Sequence, residues 1–141
     1  MKLIIEHVPL SKNRHRSAVR KGKCFIYDPQ TTIMRKIKWV FAKQMRAKGY
    51  LKLEEGPIRF RATFYVPIPK SWSKKRRDEA EGQPVTVKPD WDNRGKIYGD
   101  ILNGIAYSDD AQICSALCEK FYSATPRVEI IIKPYIKSEC W

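Results

Sequence analysis

Hydrophobic residues in this chain repeat with two distinct periods, and the periods divide it into elements. From Pro57 to Val66 they alternate, with Ile58, Phe60, Ala62, Phe64 and Val66 on one side and Arg59, Arg61, Thr63 and Tyr65 on the other. A period of two marks a strand buried on one face. After Asp28-Pro29 the period changes, and Ile33, Ile37, Val40, Phe41 and Met45 recur at helical spacing up to Gly49. An aspartate acceptor followed by proline predicts the helix start, and the glycine its stop. Arg35, Lys36, Lys43 and Arg46 take the opposite face. A second helix is predicted over 93–103, with Ile97, Ile101 and Leu102 inward and Gly104 as its cap.

The remaining pattern predicts strands. Residues 2–8 place Leu3 and Ile5 on one face and end at Pro9, and residues 85–87 form a short strand leading to Pro89 and Asp90. Residues 111–121 and 127–135 give two more, joined by a hairpin turn at 123–126, with Val128, Ile130 and Ile132 alternating against Glu129, Ile131 and Lys133. Between them and the central strand, PKSWSKKRRDEAEG reads as an exposed turn and short helix. There Trp72 either covers the core or stacks on an unpaired base. The sum is α+β: a single domain of 141 residues with a mostly antiparallel, mixed sheet and two main helices packed on it.

Charge changes this picture from fold to partner. Lys and Arg number 28 against 15 Asp and Glu, a formal net charge of +13. Such an excess concentrates polyanions, with nucleic acid ahead of an anionic membrane surface. No apolar run approaches the roughly 20 residues of a spanning helix. Glu6 and His7 also interrupt any signal-peptide core, so the cytoplasm is the expected compartment. The segment SKNRHRSAVRKGK holds six basic residues and no acid, and reads as either a solvated mobile loop or a phosphate-contacting arm. Arg14 and Arg16 within it, with Lys74 and Arg76 in the second basic stretch, are candidate phosphate contacts. The four cysteines, Cys24, Cys114, Cys118 and Cys140, form no CxxC pair and lie far in sequence from His7 and His15. Reduced thiols explain them better than zinc does.

Against this cationic background, KPDWDNRGKIYGDILNGIAYSDDAQI gathers acids. Asp90 and Asp92 stand at the start of the second helix, and Asp110 returns just before a predicted strand. Two carboxylates ~5 Å apart at an effective dielectric of ~20 repel by roughly 3 kcal/mol, and three by something on the order of 10. That rivals the ~5–15 kcal/mol stability of a whole domain. If the fold brings them together, a proton, a basic side chain or a divalent cation must offset the repulsion. Oxygen donors with room for water favour Mg2+, with Mn2+ as a substitute, over zinc. Lys96 lies four residues after Asp92, on the same helical face, and Asn93 adds a neutral oxygen or an amide donor. Carboxylates, a cation and a lysine together suit phosphodiester hydrolysis. Taken singly, Asp92 could be a helix cap, Asp109-Asp110 a turn and Lys96 a solvated residue.

PDWDNRGK followed by NGIAYSDDAQI resembles the RusA family of Holliday-junction resolvases, common in phages and prophages, whose pattern is D-x-D-N-x-x-K, a helix, then D-D-x-Q. The resemblance places the family carboxylates on Asp90, Asp92 and Asp110, its asparagine on Asn93 and its essential lysine on Lys96. Asp100, Asp109 and Gln112 also match family positions, the last two as supports around the ligands. Arg94 departs from a usually apolar position, and Gly95 and Gly99 put two glycines into the helix, each costing ~1 kcal/mol against alanine. The resemblance implies a homodimeric, Mg2+-dependent endonuclease that nicks two opposed strands of a four-way DNA junction. It would work in the cytoplasm of a bacterium, or of the host if phage-encoded. A non-catalytic nucleic-acid-binding protein, or a nuclease of other branched DNA, would share the charge.

Overall fold

The alternation of residues 57–66 places them at the centre of the sheet. In the computed structural model, which describes residues 1–13 and 16–139, β4 (Ile58–Pro67) pairs on both edges. Before it come β1 (Lys2–Ile5), β2 (Arg16–Arg20), β3 (Lys23–Tyr27) and α1 (Thr31–Ala47). After it follow α2 (Lys74–Ala80), α3 (Trp91–Leu102), a 3-10 turn (Asp110–Gln112), β5 (Ile113–Ser123) and β6 (Arg127–Pro134). The main sheet runs β1-β6-β4-β5. Its β1/β6 and β6/β4 pairs are antiparallel, and β4/β5 is parallel.

Ile58, Phe60, Ala62 and Phe64 of β4 are buried with Ile37, Phe41 and Met45 of α1 and Ile97, Tyr98, Ile101 and Leu102 of α3. Val128, Ile130 and Ile132 of β6 and Leu3 of β1 complete the cluster. Each large apolar side chain so buried contributes about 1.5–3 kcal/mol. On the opposite face of the sheet Arg61 pairs with Glu119 at 2.8 Å, and the Arg127 guanidinium lies 3.5 Å from the Tyr65 ring centroid. A smaller cluster gathers Ala80, Val85 and Tyr122, with Trp72 edge-on to Tyr122 at 5.3 Å. Trp72 therefore covers core, and its outer face carries the Arg76 guanidinium at 3.8 Å.

Several expectations are corrected. Residues 123–126 do not close a hairpin, because β5 and β6 flank β4 from opposite sides. β4, apolar along one face for its whole length, takes both neighbours, and the chain reaches β5 through the crossover that carries α2 and α3. Residues 85–87 form no strand; Pro84 alone bridges Phe121, and Val87 is exposed. α1 starts at Thr31, since the Asp28 carboxylate accepts the Gln30 N–H at 2.8 Å and makes a turn there instead of a cap. β1 ends at Ile5, and α3 begins two residues earlier than predicted.

The basic run is a hairpin, not a loop. β2 and β3 pair from Arg16↔Tyr27 to Arg20↔Lys23. Lys21 and Gly22 both hold positive φ, 52° and 71°, as a two-residue turn between twisted strands requires. Arg14 and His15 lie outside the described residues. At the hairpin's base the buried Gln30 amide accepts the Asn13 N–H at 2.8 Å and donates to the Ser11 carbonyl at 2.8 Å.

The preceding segment crosses α3 as a strap. Arg94, buried, donates from Nη1 to the Pro9 carbonyl at 2.6 Å. The Leu10 N–H donates to the Tyr98 hydroxyl oxygen, the Lys12 N–H to the Asn93 carbonyl and Lys12 Nζ to Asp100 at 2.5 Å. The Tyr98 hydroxyl also hydrogen-bonds His7 Nε2 at 2.8 Å. Burial holds the His7 imidazole below its ordinary pKa, partly offset by a backbone hydrogen bond at Val8. Unfolded chains therefore bind more protons at this site just below pH ~6.5, and its contribution to stability is lost as pH falls through that range. Thermal melts between pH 7 and pH 5 are expected to drop further for the wild type than for His7→Gln, by roughly 2–4 °C. Equal slopes would remove His7 from the acid response.

Candidate active site

The first turn of α3 and the 3-10 turn ahead of β5 meet at one pocket. Asp90 is the N-cap residue of α3, extended at φ −66° and ψ 155°, and its carboxylate makes no capping hydrogen bond. Asp92 lies exposed in the first helical turn, where the positive end of the helix dipole favours an anion by about 0.3–1 kcal/mol. Lys96 follows one turn later, also exposed. Asp110 comes from the 3-10 turn. Asp92, Lys96 and Asp110 line a pocket of about 250 Å³ with Trp91, Gly95, Gly99, Phe60, Ile113, Ala116 and Cys118.

The placement of Asp110 is built locally. Asp109 caps the turn by accepting the Ala111 N–H at 2.8 Å, and Gln112 Oε1 accepts the Asp109 and Ser108 N–H groups at 3.0 and 2.9 Å. Gln112 Nε2 then donates to the Gly56 carbonyl at 3.0 Å, tying the turn to the segment ahead of β4. Asp109 and Gln112 thus hold the turn from which the Asp110 carboxylate projects. Tyr107, buried beneath, donates its hydroxyl to the Gly99 carbonyl at 2.7 Å. Burial raises its pKa, and the charges of Asp110 and Asp100 raise it further.

Other expected site residues lie elsewhere. Asp90 and Asn93 are exposed and outside the pocket lining, and Asp100 is engaged by Lys12. Among the described residues no three Asp, Glu, His or Cys side chains converge on a point where they could hold a metal ion. Two carboxylates in one water-accessible pocket still suit Mg2+ or Mn2+, hard cations that take one or two protein carboxylates and keep several waters. Arg16 is exposed on β2, and Lys74 and Arg76 are exposed on α2.

Three contributors escaped sequence reasoning. Lys120 on β5 donates from Nζ to the Val87 and Pro89 carbonyls at 3.0 and 3.1 Å, which fixes the approach to Asp90. Trp91, the variable position inside the D-x-D motif, lies in the pocket wall and is 58% exposed. Gly95 brings α3 onto β5, because a Cβ there would lie 2.7 Å from Cys118 Sγ. A glycine inside a helix was the one sequence sign of this approach. Gly99 differs, as its added Cβ would meet nothing nearer than the Tyr107 hydroxyl at 3.9 Å.

Gly95→Ala is therefore expected to lower stability by about 1–2 kcal/mol through the forced shift of helix or thiol. Gly99→Ala should raise it by up to about 1 kcal/mol through helix propensity. Denaturant melts of the two variants decide this, and effects of equal sign would contradict the packing described. The Cys118 thiol is pushed up to about 11, first by burial and then by the charges of Asp92 and Glu119. Brief alkylation at pH 8 with peptide mapping should modify the exposed Cys24 and Cys114 well before Cys118.

Two comparisons with known proteins bear on the family. The family model described as endodeoxyribonuclease RusA matches residues 6–133. The chain is also 34% identical over 138 residues to the uncharacterized protein YqaN of Bacillus subtilis (strain 168), covering 94% of this chain and 95% of that one. The match runs from the strap through the basic hairpin, α1, β4 and α3 into β6. The chain is a member of the RusA endodeoxyribonuclease family.

Proposed function

We propose that this protein is a Mg2+-dependent endonuclease that resolves four-way DNA junctions by paired, symmetric nicks and acts as a homodimer in the cytoplasm. The observation that carries the reading is the meeting of Asp92, Asp110 and Lys96, from two separate segments, in one pocket of a +13 chain. Asp92 and Asp110 would hold the ion, and Asp90, at the N-cap just outside the pocket, would join them only if its side chain turned inward. When bound, Mg2+ activates water and neutralises charge developing on the phosphoryl oxygens, and Mn2+ can replace it.

The chain's own residues do the rest. Asp92 and Asp110 orient the attacking water by accepting its hydrogen bonds. The Lys96 ammonium donates to the oxygen on which negative charge accumulates. Asp109 and Gln112 keep the Asp110 turn in register, and Asn93 orients the first turn of α3 through its carbonyl bond to Lys12. Arg16, Lys74 and Arg76 contact phosphates, as does Arg14 of the same basic segment. Two copies related by a two-fold axis match a junction of approximate two-fold symmetry.

Cleavage of a synthetic four-way junction, with and without Mg2+, tests this. Wild type should nick opposed strands symmetrically and only with the metal. Asp92→Asn should bind the junction yet not cut it, and Lys96→Ala should lose about 100- to 1000-fold in rate. Tight binding without cleavage in Mg2+ or Mn2+ would leave a junction-binding protein. Equal cutting of Y-shaped DNA would make it a general branch nuclease.

A further inference from the structure

Trp91 is a large aromatic side chain left in water at the mouth of a phosphate-cleaving pocket. It is the first residue of α3, between the N-cap Asp90 and Asp92, and 58% of it is exposed. Its indole lines the same pocket as Asp92, Lys96 and Asp110. The other described tryptophans have partners: Trp72 lies between Arg76 and Tyr122, and Trp39 lies beneath Lys43 at 5.3 Å. Among the described residues no ring or cation stacks on Trp91. Helix propensity does not ask for tryptophan in this first turn, and an exposed indole forgoes most of its burial free energy. A ligand with a flat apolar face would recover that energy.

Resting on the nuclease reading above, we propose that Trp91 stacks on an unstacked nucleobase at the branch point and so positions the neighbouring phosphate over Asp92 and Asp110. Continuous duplex offers only base edges in its grooves, because every base face is covered by its neighbours. Where strands part, one face of the adjacent base is free, and aromatic stacking accepts any base identity. The cationic surface attracts both kinds of DNA through their backbones, without distinguishing them. Trp91 is thus a positioning residue that supplies selectivity for branched over continuous DNA, while the backbone contacts supply affinity for either.

The test uses the full-length chain carrying Asp92→Asn, so that the DNA stays intact, and a four-way junction with 2-aminopurine beside the branch. Binding should quench the 2-aminopurine emission. Adding Trp91→Ala should remove the quenching and weaken junction binding about tenfold, with linear duplex binding unchanged within about twofold. Trp91→Phe should retain most of the selectivity, and a thermal melt checks that each variant is folded. Equal losses on junction and duplex would overturn the proposal, as would unchanged emission. So would a change of oligomeric state on gel filtration, which would make Trp91 a contact between copies. If the Asp92→Asn parent itself shows no preference for the junction, the resolvase reading fails and the proposal with it. If the parent prefers the junction and the Trp91→Ala variant does equally, the role of Trp91 alone fails.

Discussion

With no side chain at Gly95, α3 lies against β5 so closely that a single added carbon would stand 2.7 Å from Cys118 Sγ. Everything in the pocket depends on that approach. α3 carries Asp92 and Lys96, and Asp110 sits in the turn that leads into β5. Bring helix and strand together, and two carboxylates and an ammonium from separate segments share one small volume. The same approach buries the Cys118 thiol near Asp92, and that burial with the Asp92 charge raises the thiol's pKa. The helix interior loses about 1 kcal/mol of propensity at the glycine, a small cost against assembling the site.

A second constraint comes from the strap over α3. Arg94 anchors the strap with a charged hydrogen bond to the Pro9 carbonyl. Its burial lowers the guanidinium pKa, and its Nε finds no hydrogen-bond partner among the described residues. Such a group is costly unless its other bonds are good. Here the return is positional. The strap ties the helix that presents Asp92 to the base of the basic hairpin, where Gln30, just after the hairpin, holds Ser11 and Asn13 just before it. The basic hairpin and the pocket are thus joined through a handful of hydrogen bonds.

The sheet explains why the strand carrying this helix contact can be in the right place. β4 accepts β5 in parallel on one edge and β6 antiparallel on the other. A parallel neighbour needs a crossover, and this crossover contains both α2 and α3. α3 is thus part of the connection that makes the sheet mixed. Lys120 of β5 reaches back to the carbonyls just ahead of Asp90, so the crossover is pinned where it enters α3.

Local order was legible from the chain alone. The alternation of Ile58 to Phe64, the helical spacing of Ile37, Phe41 and Met45, and the spacing of Asp92 to Lys96 are short-range properties of one backbone conformation. So are the α+β class and the family, whose motif lies within about twenty-five residues. What remained hidden was non-local. Either edge of β4 can satisfy the same hydrogen bonds, so nothing in the pattern chooses β5 as the parallel neighbour. The charge of Arg16 to Lys23 masked a turn set by two positive φ angles. Whether Asp90 joins Asp92 and Asp110 depends on the relative placement of α3 and the turn before β5. Tertiary packing decided that Asp92 and Asp110 share the pocket, that Asp109 and Gln112 frame it, and that Trp91 stands at its mouth. The physical reason is that side chains from separate elements acquire mutual distances only when those elements dock, and docking answers to shape and burial over the whole core.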